Sequence, residues 1–305
     1  MTLKFSPFLF FLLLSTQLYP QIGVNRNLEL NINSNVKLIL ENSINEKSIY
    51  SVDLKSKDSI MFKKIFYNRS GKIIKELSFK VDNTKYRFTQ SIQEKINSLD
   101  NGELYEHIIY EYNSKGYLKK SNLFRFGKLF YLNHYVYNKN GNKAFINSST
   151  SSDKTFKFIR EFKYNKYQQL TRVIHKIGNL PSENDDYILR MKFSYNSNKK
   201  PSKIKIYDIA GKLSYLDEFI YHEDEIVKYT QHHKNYKNKK WEIILITNNK
   251  YDYKKRLIER EIITPEIEHK KTIFYIYDNK NNVIEENTFI NDSLVKKLVH
   301  KYKYY

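Results

Sequence analysis

The chain has 305 residues, 40% hydrophobic and 28% charged, with 27 Tyr, 19 Phe and no Cys. This content supports a buried core and excludes wholesale disorder, and the missing Cys excludes disulfide staples and a lipid-anchoring cysteine. The formal net charge of +20 allows a polyanion-binding surface, but the lysines are spread along the chain and interleaved with acids, as on a solvated face in a protein from an AT-rich genome.

Residues 1–20 read as a signal peptide. Lys4 precedes an apolar run from Phe5 to Leu14, and a polar break starts at Ser15. The run is shorter than the roughly 20 residues a helical span needs. Release is expected near Pro20 or Gln21, and an uncleaved anchor is the alternative. The expected address is bacterial and exported: periplasm, cell surface or medium. No later stretch is apolar for long enough to cross a membrane as a helix.

Residues 21–59 lack the pattern that follows them. The stretch LELNINSNVKLILENS (28–43) is expected to add a strand or cap a sheet.

From residue 60 to 305 one theme recurs. Tyr67, Tyr112, Tyr137, Tyr164, Tyr195, Tyr207, Tyr221, Tyr251 and Tyr277 each end a strand-like run, and all but Tyr221 are followed by Asn or Asp. The runs alternate with period two. Phe156, Phe158, Phe162 and Tyr164 share one face, opposite Lys157, Glu161 and Lys163. The recurring Tyr is expected on the apolar face each time. Ala occurs only at 144 and 210, which also favours strand over helix. The segment 89–103 interrupts the period, as an insertion or a short helix.

The turns can be read in detail. Asn68–Gly71, Asn113–Gly116, Asn138–Gly141 and Asp208–Gly211 fit a type I turn followed by a left-handed residue. Asn281 takes the glycine position after Asp278. Such a bulged hairpin sets each Tyr opposite the residue six positions on. Those residues are Ile73, Leu118, Lys143, Leu170, Pro201, Leu213, Val227, Leu257 and Val283, seven of nine apolar, whereas the residues five positions on are mostly polar. Connections at the other strand ends vary in length, so one regular and one irregular rim are expected. The fold class expected is all-β: an antiparallel meander of repeated hairpins forming a curled or extended sheet.

The phrase YEYNSKGYL (110–118), with weaker copies elsewhere, resembles the YD repeat of RHS and teneurin-type proteins. The resemblance covers residues 60–305 and implies long antiparallel sheets that curl into a shell. Departures are visible: the usual Gly-Arg-Leu after the turn is Gly-Lys-Ile at Gly71 and Gly-Tyr-Leu at Gly116, and no recognisable core or toxin tail follows.

Chemistry is sparse. YHEDE (221–225) offers oxygens to a hard cation or is a charged surface turn, and QHH (231–233) lacks a third ligand. No nucleophile elbow, zinc-protease, P-loop or dinucleotide motif is present. No catalytic residue, metal or cofactor is therefore assigned. One segment stands out: HHKNYKNKKW (232–241) gathers Lys234, Tyr236, Lys237, Lys239, Lys240 and Trp241, the only Trp. Aromatics beside cations suit stacking on sugars or bases with contact to an acidic group. The competing reading is a solvated hairpin loop whose Trp241 turns inward to start the next strand. The expected function is an exported, non-catalytic binding or structural module at the cell envelope, with an envelope glycan or another protein as partner and nucleic acid disfavoured. The alternatives are an outer-membrane β-barrel and a small hydrolase on the repeat scaffold.

Overall fold

A computed structural model describes residues 43–54, 57, 59–79, 104–150, 157–178, 189–236 and 238–305. The expected signal peptide, nearly all of 28–43 and the segment 89–103 lie outside them. The described chain is strand and turn apart from one 3₁₀ turn, Pro265–Ile267.

The first strands are β1 (Ile44–Val52), β2 (Ser59–Tyr67), β3 (Ile73–Phe79), β4 (Leu104–Tyr112), β5 (Leu118–Arg125) and β6 (Lys128–Tyr137). Next come β7 (Lys143–Thr150), β8 (Lys157–Tyr164), β9 (Leu170–Gly178), β10 (Leu189–Tyr195), β11 (Pro201–Tyr207) and β12 (Leu213–His222). The last are β13 (Glu225–Lys234), β14 (Trp241–Tyr251), β15 (Leu257–Thr264), β16 (His269–Tyr277), β17 (Val283–Ile290) and β18 (Ser293–Tyr304).

Every strand pairs antiparallel with its chain neighbours, and β18 also pairs with β1. The 18 strands therefore close into a barrel. The curled or extended sheet expected from sequence is corrected on this point. Hairpin patterning fixes which neighbours pair but leaves the two outer edges open. β1, from the stretch without the repeat, closes them by facing β18 on one side and β2 on the other. Closure leaves no unpaired edge among the described strands to recruit another chain.

The repeat hairpins form one rim. Tyr67↔Ile73, Tyr112↔Leu118, Tyr137↔Lys143, Tyr164↔Leu170, Tyr195↔Pro201, Tyr251↔Leu257 and Tyr277↔Val283 are direct partners there, each six residues apart as expected. Tyr221 departs: a shorter turn through Glu223 and Asp224 pairs it with Ile226 instead of Val227. The opposite rim holds the irregular connections.

Turn chemistry explains the recurring Asn or Asp. The Asn113 side-chain oxygen accepts the Tyr117 amide at 2.9 Å, and Asp278 accepts the amides of Lys280 and Asn282 at 2.9 and 2.8 Å. The side chain thus satisfies main-chain donors that the turn leaves over. The fourth position is left-handed, with φ of +79° at Gly141 and +64° at Asn281. A Cβ at Gly141 would also meet the Tyr117 hydroxyl at 2.5 Å. Gly141→Val is expected to cost about 1–2 kcal/mol from the left-handed backbone alone, read as a lower urea midpoint.

A second register shift follows each of these turns. Tyr112 faces Leu118, yet Glu111 already faces Lys120, so Lys119 is an extra residue. Such a bulge interrupts the ladder, and the tyrosine of the next hairpin supplies a donor. Tyr112 Oη donates to the Ile73 carbonyl at 2.7 Å, Tyr137 to Leu118 at 3.0 Å, Tyr164 to Lys143 at 2.9 Å and Tyr195 to Leu170 at 2.7 Å. Tyr221, Tyr251, Tyr277 and Tyr302 continue the series onto Pro201, Ile226, Leu257 and Val283. Tyr305 closes it onto the Tyr67 carbonyl at 2.6 Å. Tyr137→Phe is expected to lose about 0.5–1.5 kcal/mol, measured by urea unfolding.

Burial shows which face is the interior. Val173, Met191, Ile204 and Ile206, on the inward face of β9–β11, form the tightest apolar cluster, backed by Phe162, Phe193, Tyr215 and Phe219. The inward wall is also polar in places. Buried Ser121 contacts Tyr135 Oη and Asn133 Nδ2, each at 3.1 Å, and Gln231 donates to Asp217 at 3.0 Å. Tyr112, Tyr164, Tyr251 and Tyr277 share the inward side with their partners and are half-buried, because they line the wall of a ring. Tyr207 is a further correction. It pairs with Leu213 as expected, but at the irregular rim, and it faces outward opposite Arg190. Ile206 beside it takes the inward place, and neighbouring residues of a strand cannot share a face.

Candidate functional site

The segment singled out by composition connects β13 to β14 at the irregular rim. Lys234 and Trp241 end and begin these strands and face one another across the hairpin on the outward side. The Lys234 ammonium lies 5.5 Å from the Trp241 ring centroid. Trp241 starts a strand as the solvated-loop reading had it, but its ring points out and is 37% exposed. Its sequence neighbours explain this: Gln231, paired with buried Asp217, fixes the inward parity of β13, so Lys234 and its partner Trp241 fall on the other face.

Tyr236 is a strut. Its hydroxyl contacts Ser214 Oγ at 2.8 Å and reaches Asp208 Oδ2 and the Leu213 carbonyl at 3.3 Å, fastening the loop to the adjacent β11–β12 turn. Half its ring stays exposed, with the Lys212 ammonium 5.8 Å away. Lys239 sits at φ +60° and, with Lys240, is exposed; the Lys240 amide donates to Asn238 Oδ1 at 2.9 Å. Asn235 and Asn238 both donate to Glu242 Oε1. Lys237 lies outside the described residues. The fold thus brings Lys234, Tyr236, Lys239, Lys240 and Trp241 to one stretch of rim and adds Lys212 and the exposed Ile209 from the neighbouring turn.

The other candidates fall apart as ligand sets. On the regular rim, Asp224 is held by Lys200 and Glu223 by Lys255, each at 2.6 Å. These hydrogen-bonded ammonium groups lower both carboxyls below the usual range. His232 contacts Glu218 on the outward face, whereas His233 faces inward against the Tyr215 ring. Among the described residues, no three His, Cys, Asp or Glu side chains come close enough to hold a metal ion.

No family model and no curated protein matches the chain. Among solved structures, it is similar to a chain of the TcdB2–TccC3–Cdc42 complex, with 12% identity and a TM-score of 0.36 over 82% of this chain and 14% of that one. It is also similar to a porin-like protein from Bacteroides uniformis, with 10% identity and a TM-score of 0.41 over 86% and 97% of the two chains. A second porin-like protein, from Bacteroides vulgatus, gives 11% identity and a TM-score of 0.25. The strand pairings themselves define the class: the protein is an all-β hairpin-repeat barrel.

Proposed function

We propose that the protein is an exported, non-catalytic β-barrel of the bacterial cell envelope, assembled from hairpins related to YD repeats. Closure carries this reading. A ring without a free edge supports the outer-membrane-barrel alternative better than an open repeat module. An even number of described strands, with uniformly tight turns at one rim and connections of varied length at the other, fits the same class. The Asn/Asp–x–x–Gly turn and the buried-side Tyr–aliphatic pair support the relation to YD repeats.

The outer wall favours a second placement, in which the same barrel stands in water. Outward ion pairs recur around it: Glu46–Lys64 at 3.0 Å, Glu218–Lys203 at 2.8 Å, Glu261–Lys270 at 2.9 Å and Glu285–Lys297 at 2.7 Å. A lipid-facing band tolerates few such charges. No described helix is long and apolar enough to cross a membrane, which leaves strands as the only described elements that could. Fractionation of cells separates the placements: release only by detergent supports the embedded barrel, and release by osmotic shock or salt supports the water-facing one.

Lys234, Tyr236, Lys237, Lys239, Lys240 and Trp241 serve as the rim's contact surface for an envelope glycan or protein. Lys239→Glu with Lys240→Glu is expected to weaken capture of isolated envelope glycan without moving the melting temperature. Undiminished capture by that variant removes the loop from the reading.

A further inference from the structure

We propose that the outward wall of β8–β11 is a docking strip for a linear acidic polysaccharide. This deepens the envelope reading above and rests on that wall facing water.

The observation is a row of like charges. Lys163 lies directly opposite Arg172, Arg172 opposite Lys192, and Lys192 opposite Lys205. Four cations thus face one another across four adjacent strands, spanning roughly 14 Å at the usual strand spacing. Like charges placed directly opposite destabilise a sheet, and this row sets three such pairings in succession.

Elsewhere on the wall the same problem is solved with carboxylates. Lys64, Lys203, Lys270 and Lys297 each have a Glu partner. Strands β9, β10 and β11 contain no Asp or Glu at all, and β8 contains only Glu161. Glu161 serves Lys163 at 3.3 Å and Lys176 at 3.5 Å. Arg172 and Lys205 have no carboxylate at ion-pair distance among the described residues. Lys163, Lys192 and Lys205 are exposed. Beside the row, the Arg190 guanidinium lies 4.9 Å and the Lys192 ammonium 5.3 Å from the Tyr207 ring centroid. These contacts hold Lys192 near the wall.

Arg172, Lys192 and Lys205 lack counter-anions among the described residues, and an extended partner supplies them. The row crosses the strands on a continuous outward wall, so it fits a chain laid along the surface with an acidic group on successive units. Arg172 adds a planar fork suited to a carboxylate. An acidic glycan meets these demands, with ring hydroxyls near Ser194, which is exposed two residues from Lys192 and opposite Lys203 on the same outward face, and an exported protein encounters such chains.

The test measures polygalacturonate binding by calorimetry on protein released without detergent, with dextran, poly-glutamate and single-stranded DNA as comparison arms. Wild-type protein should bind polygalacturonate, ignore dextran, and lose affinity steeply as salt rises. Lys192→Glu with Lys205→Glu should weaken binding at least tenfold, whereas Lys115→Glu with Lys139→Glu, both exposed in turns of the regular rim, should leave it unchanged. Lys192→Glu alone should raise the urea midpoint, because Glu would face Arg172 and Lys205. Loss of binding alongside greater stability separates a docking role from a folding role. Absence of wild-type binding, equal binding by the strip variant, tighter binding of DNA or poly-glutamate, or a lowered urea midpoint would each overturn the proposal. Recovery of the protein only in detergent would instead defeat the water-facing placement, independently of the strip.

Discussion

Cysteines placed at Ser48 and Lys301 are expected to form an intramolecular disulfide on oxidation and to stabilise the barrel by roughly 5 kcal/mol in the chain-entropy description. The two residues are direct cross-strand partners at the β1–β18 seam. Opposed Cβ atoms in an antiparallel pair lie about 4.5–5.5 Å apart, and a disulfide needs about 3.5–4.5 Å, so only a small adjustment is required. The chain has no native Cys, so no other pairing competes. The large effect comes from tying together positions near opposite ends of the described chain. Faster migration of the oxidised variant on a denaturing gel, with a shifted urea midpoint, would report the closed ring. A protein that crosslinks only between molecules would mean that β1 and β18 are separate edges.

Ile204→Ala should cost about 2–5 kcal/mol. Ile204 is 1% exposed and sits among Val173, Met191 and Ile206. Removing its side chain leaves a cavity between neighbours held by strands on both sides. Ile209→Ala is the matched control. Ile209 is 73% exposed in the β11–β12 turn, so its truncation should stay within about 0.5 kcal/mol. Urea unfolding of both variants would check the contrast, and similar midpoints would place the tight core elsewhere.

The hairpins were legible because their information is local. Asn113 to Leu118 carries the turn, the left-handed Gly116 and the pairing of Tyr112 within a few residues. Register followed from asking which partner kept an aliphatic opposite each Tyr. Closure was not legible, since β1 has no repeat and its partner β18 lies some 250 residues away. The orientation of Tyr207 is legible in the sequence: Lys203, Ile204, Lys205 and Ile206 already alternate, which forces the next residue outward. Tyr221 pairs one residue sooner than the repeat implies because its turn lacks the Asn/Asp–x–x–Gly phrase.

The rim loop was visible as composition, but its geometry was not. The inward burial of Asp217 and its partner Gln231, rather than anything in the loop, fixes Trp241 outward. The cation row was hidden for a different reason. Its members come from four strands, and no one-dimensional window places Lys163, Arg172, Lys192 and Lys205 side by side.

The tyrosine hydroxyl series also bears on how a barrel of this kind can change size. Each hairpin is fastened to the one before it by the same side-chain-to-backbone joint, from Tyr112 on Ile73 to Tyr302 on Val283. Because the joint is made between neighbours and refers to nothing farther away, a duplicated or deleted hairpin would bring its own fastening with it. The circumference is then free to grow or shrink in steps of two strands, and a tandem gene duplication could widen the ring while leaving every seam chemically unchanged.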